Sequence, residues 1–221
     1  MLIGHSFVKR LAHHLIRNYS ATNDYAEALH IDHTYYGVGV YGQTGLIAED
    51  TLNAVGRQVL EVKPHLIALD IAGNDLCTNS PLKVATNVLD LILKLHNHYK
   101  VQLIVIIEAT HRYMTSCKKT LPQYNRDVDR YNEIMRSLLE PLDFAIHYKT
   151  RGLCSLQPMA FPDGIHPMMQ KYRQVVATMF KWCFNCLAHG KEFMTAQRRY
   201  DHRRRRCQSH STLPYHRPID S

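Results

Sequence analysis

Four short stretches hold residues whose types and spacing suit acyl transfer. "FPDGIHP", Phe161 to Pro167, puts Asp163 three residues before His166 and carries a proline on either side. Proline resists helix interiors and disfavours helix at the residue before it, so the two side chains are expected in one tight loop. There the carboxylate can reach a ring nitrogen, which makes His166 a candidate base. A serine hydroxyl is a poor nucleophile until a base takes its proton, and "GHSF" offers Ser6. "GVYG" offers the backbone N–H of Gly42 with no side chain in the way, and "AGND" offers the side-chain amide of Asn74. In this reading Asp163 holds the imidazole tautomer and favours the imidazolium formed during attack. The N–H groups of Ser6 and Gly42 and the Asn74 amide form an oxyanion hole.

These residues act together only if the chain brings them to one place. Strand-like runs "MLIG", "HTYYGVGV", "HLIALDI", "VQLIVIIEA" and "DFAIHY" alternate with helical patterns. The helical patterns are "FVKRLAHHLIRN", "GLIAEDTLNAVGRQVLEV", "PLKVATNVLDLILKLHNHY", "YNRDVDRYNEIMRSLLE" and "PMMQKYRQVVATMFKWCFNCLA". Five strands alternating with five helices predict an α/β fold with a parallel sheet covered on both faces. The flavodoxin-like order 2-1-3-4-5 suits five strands and right-handed crossovers. Ligands in such sheets sit beyond the carboxyl ends of the strands. "GHS" closes the first strand, "GVYG" the second and "GND" the third, and "DGIH" precedes the last helix. Each piece has an ordinary alternative: Ser6 as a helix cap, Gly42, Asn74 and "DGIH" as turn residues. Their joint occurrence, in order and at one end of the sheet, favours chemistry.

The chain has 221 residues, 45% of them hydrophobic, and its mean hydropathy is −0.30, which suits one α/β domain with a sizeable core. No apolar run approaches the roughly 20 residues needed to cross a bilayer. Lys9, Arg10 and two histidines interrupt the start before a signal-peptide stretch can form, so an intracellular protein, cytoplasmic or nuclear, is expected. Six scattered cysteines then read as free thiols. The lone pair in "CFNC", Cys183 and Cys186, lacks a second pair at zinc spacing and falls in an apolar helical pattern, which favours thiols over a metal site. Formal charge is +8, of which residues 191–221 contribute +5 and residues 1–190 the remaining +3. The chain thus divides into a domain over 1–190 and a basic, irregular tail over 191–221. Within the tail, "RRYDHRRRR" at 198–206 is a candidate for weak polyanion binding.

The ordered set resembles the SGNH/GDSL hydrolases. Their four blocks carry a serine in a G-D-S-type motif, a glycine, an asparagine in a G-x-N-D-type motif and a late D-x-x-H. "GHSF", "GVYG", "AGND" and "DGIH" match them across about residues 1 to 185. The resemblance implies a flavodoxin-like three-layer α/β/α fold and hydrolysis of esters without metal or organic cofactor. It assigns Ser6, Asp163 and His166 as the catalytic residues and Ser6, Gly42 and Asn74 as the oxyanion hole. The G-x-S-x-G elbow of the α/β-hydrolases is absent. Position 5 is histidine where the family often has aspartate. The chain begins three residues before Gly4, so its first strand is shorter than usual for the family, as a truncated N-terminus would leave it. A rival reading keeps the fold without the activity: a binding module, related to mobile-element proteins, whose Arg-rich tail contacts nucleic acid or anionic lipid. Substrate walls are expected from the loops Thr110 to Pro122 and Lys149 to Pro162.

Overall fold

The computed structural model describes residues 1–20, 24–114, 117–150 and 161–209, with backbone alone from 190 onward. The apolar runs "LIALD" and "LIVII" become β3 (Leu66–Asp70) and β4 (Leu103–Ile107), buried at every position. That continuous burial is what a parallel strand covered on both faces requires. With β1 (Leu2–Gly4), β2 (Val40–Gly42) and β5 (Ala145–Tyr148) they form one parallel sheet in the order β2-β1-β3-β4-β5. The expected α/β class and flavodoxin-like order are those observed.

Strand periodicity divides the core in two. Ile3, Ile67, Leu69, Ile104 and Ile106 point to one face. There they meet Val55 and Val59 of α2 (Thr51–Val62), Val88 and Ile92 of α3 (Pro81–Asn97), and Val128 and Tyr131 of α4 (Leu121–Leu139) in one buried cluster. Each such aliphatic side chain contributes about 1.5–3 kcal/mol by burial. Helix α1 (Ser6–Tyr19) and the first turns of α5 (Met169–Ser209) cover the other face, where the Phe7 and Tyr172 rings meet edge to face with centroids 5.9 Å apart. Caps fix where helices start. The hydroxyls of Ser80 and Thr120 accept from the N–H groups of Lys83 and Gln123, each just ahead of a first-turn proline.

Three boundaries differ from the sequence reading. Strand β2 shares only Val40 with the expected run and continues past it to Gly42, because the Asp32 carboxylate accepts from the Thr34 N–H and turns the chain at Asp32–Tyr36. Helix α2 starts at Thr51, although Leu46 and Ala48 ahead of it are buried as core. Helix α4 starts earlier than expected, at the Thr120 cap.

The chain divides into two compact units, Met1–Lys181, which holds the sheet, and Trp182–Ser221. In the second, α5 continues to Ser209, so the Arg-rich run at 198–206 is helical where an irregular tail was expected. Residues 191–209 contain no proline or glycine and are rich in good helix formers such as Arg, Gln and Lys. The rest of that expected tail, 210–221, lies outside the described residues, as do 115–116 and 151–160 of the expected substrate walls. No described helix is long and apolar enough to cross a membrane.

Candidate active site

Strand order reverses about β1, which pairs with β2 on one side and β3 on the other. Such a switch point opens a crevice at the carboxyl ends of the strands. Register places Gly42, Gly4 and Asp70 in line across those ends. Ser6 follows two residues beyond Gly4 as the first residue of α1, so its N–H is among the helix donors without an intrahelical acceptor.

Gly42 allows the approach of α1. A Cβ there would overlap the Lys9 nitrogen and Cα and stand 2.7 Å from the Val8 carbonyl carbon. The residue therefore has a packing role in addition to the N–H that sequence reasoning singled out. Asn74 opens the short 3-10 turn at Asp75–Cys77, and its amide donates to the Leu46 carbonyl at 3.2 Å. That bond uses one of the two amide hydrogens and holds the side chain in place. Two residues ahead of Asn74, Ala72 takes φ 81°, a left-handed conformation that costs a residue with a Cβ about 1–2 kcal/mol.

"DGIH" folds as the prolines suggested. The Asp163 Oδ1 accepts from the N–H groups of Ile165 at 3.1 Å and His166 at 2.7 Å, and Gly164 takes φ 69° to close the turn. The Gly164 carbonyl accepts from the N–H groups of Tyr113 and Met114, pinning the turn to the chain after β4. Asp163 Oδ2 faces His166 Nδ1 at 2.8 Å, and His166 Nε2 faces Ser6 Oγ at 2.8 Å. Thus three side chains from opposite ends of the sequence form one hydrogen-bonded line. Phe7 packs edge-on against the His166 ring, with centroids 5.1 Å apart, and limits its rotation.

The charge states suit proton transfer toward His166. Burial opposes ionisation of Asp163, but hydrogen bonds from the His166 N–H, the His166 ring and the Ile165 N–H outweigh it and hold the carboxyl well below its usual range. Burial lowers His166 below 6.5; Asp163 opposes that, and the Arg10 and Arg112 cations reinforce it. The ring is therefore neutral at pH 7 and able to accept a proton.

Sequence reasoning missed several polar neighbours. Arg10 donates to Asp163 Oδ2 at 2.9 Å, and its place one turn after Ser6 on α1 was the available signal. Arg112, buried, donates to the Gly73 carbonyl at 2.9 Å and stacks on Tyr124. Asp75 anchors the loop before α2 by accepting from the Ala48 N–H at 3.1 Å. His5, Asp70 and Tyr172 lie behind Ser6. The cavity at His5, Asp70 and Arg112 measures about 10 Å³, room for about one water and too little for an acyl group.

The parallel α/β sheet thus brings a serine, an imidazole and a carboxylate into line at its switch point. The family described as GDSL-like Lipase/Acylhydrolase matches residues 5–179, and the chain belongs to it. No curated protein matches the chain. Among solved structures, a GDSL-like lipase from Bacteroides thetaiotaomicron superposes with TM-score 0.61 at 12% identity, covering 82% of this chain and 85% of its own. A catalytic mutant of Axe2, an acetylxylan esterase from Geobacillus stearothermophilus, superposes with TM-score 0.52 at 17% identity, covering 81% and 90%. At these identities the likeness is one of fold.

Proposed function

We propose that this domain is a serine-dependent hydrolase of carboxylic esters, with Ser6 as nucleophile, His166 as base and Asp163 as the group that orients His166. The observation that carries the reading is the continuous line Ser6 Oγ, His166 Nε2, His166 Nδ1, Asp163 Oδ2, with 2.8 Å at both contacts. Ser6 Oγ attacks the acyl carbon while its proton passes to His166 Nε2. The imidazolium then gives that proton to the leaving alcohol as the acyl-enzyme forms. Water, deprotonated by the same nitrogen, releases the acid. The Ser6 and Gly42 N–H groups and the second Asn74 amide hydrogen receive the negative charge on the carbonyl oxygen. Membership of the acylhydrolase family supports the same class of reaction.

A fluorophosphonate separates this enzyme from a non-catalytic binding module, because it bonds only to a serine that a base has activated. One equivalent is expected on Ser6, lost in Ser6→Ala and strongly slowed in His166→Ala. Asn74→Ala is expected to lower kcat on p-nitrophenyl esters by about 10²–10³ with a much smaller effect on KM. A folded chain that takes no label would leave the binding module.

A further inference from the structure

Behind Ser6, away from His166, lies a second imidazole with a second carboxylate. His5 is the cap residue of α1 and is 2% exposed. Its Nδ1 lies 3.5 Å from both the Phe7 nitrogen and Ser6 Oγ, and its Nε2 lies 3.5 Å from Asp70 Oδ1. Asp70, 5% exposed at the end of β3, accepts from the Tyr172 hydroxyl of α5 through its other oxygen. The His5 backbone N–H also donates to the Asp70 carbonyl at 3.2 Å.

Accepting on the reading above that Ser6 is the nucleophile, we propose that His5, Asp70 and Tyr172 form a buried positioning relay, in which Asp70 fixes the His5 tautomer that keeps Ser6 Oγ available for attack. The Phe7 N–H can only donate, so His5 Nδ1 must be the unprotonated nitrogen and Nε2 must carry the hydrogen. An acceptor is then required opposite Nε2, and the Asp70 carboxylate stands there. Tyr172 occupies the other Asp70 oxygen, which fixes the carboxylate plane. The opposite tautomer would aim an N–H at the Phe7 N–H. It would also donate to Ser6 Oγ, engaging a lone pair that attack requires.

The charge states agree with this geometry. Burial, with the Arg112 and His166 charges, brings His5 down to about 3, while burial raises Asp70 to about 6 against the Tyr172 hydrogen bond. At neutral pH a neutral imidazole therefore faces a carboxylate. His5 is also far too weak a base to compete with His166 for the Ser6 proton, so it positions and does not transfer. An aspartate at position 5 could cap α1 equally well, but here it would set two carboxylates together in a buried site. The histidine and Asp70 therefore belong together.

The test uses the full chain, with imidazole ¹⁵N shifts for the His5 tautomer and fluorophosphonate labelling rates for Ser6. Wild type is expected to show an unprotonated Nδ1. In Asp70→Asn the single side-chain oxygen stays with Tyr172 and the amide N–H faces Nε2. The proton should then move to Nδ1 and labelling should slow by about 10–100-fold. His5→Asn keeps a good helix cap while removing the link to Asp70, and it too should label slowly. A protonated Nδ1 in wild type overturns the relay. So do wild-type labelling rates in both variants, which would leave His5 as a helix cap. If Asp70→Asn does not fold, the wild-type tautomer and the His5→Asn rate decide. Absence of labelling in wild type would instead sink the hydrolase reading, with the tautomer still measurable.

Discussion

Arg10 is one of three charged residues, with Asp163 and Arg112, that act on the proposed base. It lies half-exposed on α1, one turn beyond Ser6, and pairs with Asp163 Oδ2 on the side away from the fold interior. His166 must be neutral to accept a proton, and burial together with the Arg10 cation keeps its pKa below 6.5. Hydrolysis should therefore rise with pH through an apparent pKa below about 6.5 and then level off. Arg10→Ala removes a cation that disfavours the imidazolium and unmasks the Asp163 charge that favours it. Both changes raise the His166 pKa, so the rising limb of kcat/KM should move to higher pH, by less than about one unit at such an exposed pair. Added salt should reproduce part of that shift in wild type and little of it in the variant. A limb governed by Asp70, whose carboxylate faces His5 and Tyr172, would stay in place, and that result would remove His166 as the titrating base.

The serine is held by the packing of one helix on one strand edge. Helix α1 crosses β2 where Gly42 has no side chain, and a Cβ there would collide with backbone atoms of Lys9 that no rotamer change can move. Gly42→Ala must therefore lift α1, and with it Ser6 and its N–H, away from the strand ends. The expected result is a loss of about 1–3 kcal/mol or more in stability and a labelling rate at Ser6 down by about 10²-fold, read by thermal melting and fluorophosphonate kinetics. Unchanged melting would mean that α1 is not seated on Gly42. Elements like β3 and β4 were legible because a continuous apolar run bounded by turn residues has few other uses. Strand β2 was legible only in part, since Tyr35 and Tyr36 suit a strand equally well and the Asp32 turn decides against it. The aligned Ser6, His166 and Asp163 could be read from order and chain position, as each sits at a strand end or a proline-bounded turn. Their supports could not. Tyr172 reaches Asp70 across 102 residues and Arg112 reaches Gly73 across 39, and neither identity carries a local signal of its partner.

At the scale of the whole molecule, charge is divided more sharply than mass. Residues 191–221 hold eight Lys and Arg against three acidic residues, while the larger part of the chain carries only +3. The proposed chemistry draws on none of these tail residues. Ser6, Gly42, Asn74, Asp163 and His166 all belong to the unit Met1–Lys181, and so does every strand of the sheet. Deleting residues 191–221 should therefore leave the melting temperature and ester turnover of the domain within error of the full chain. It should remove retention on heparin or duplex DNA if the Arg-rich helix supplies the phosphate contacts. Binding by counterion release weakens linearly on a log–log plot against salt, with a slope of about 0.9 per phosphate neutralised, so eight cations set an upper limit of about seven. A steeper slope would require cations from the body of the protein. Retention that survives the deletion would place the binding surface there as well. Loss of folding would show that the basic helix is part of the domain's stability, and the boundary expected at 190 would have to be abandoned.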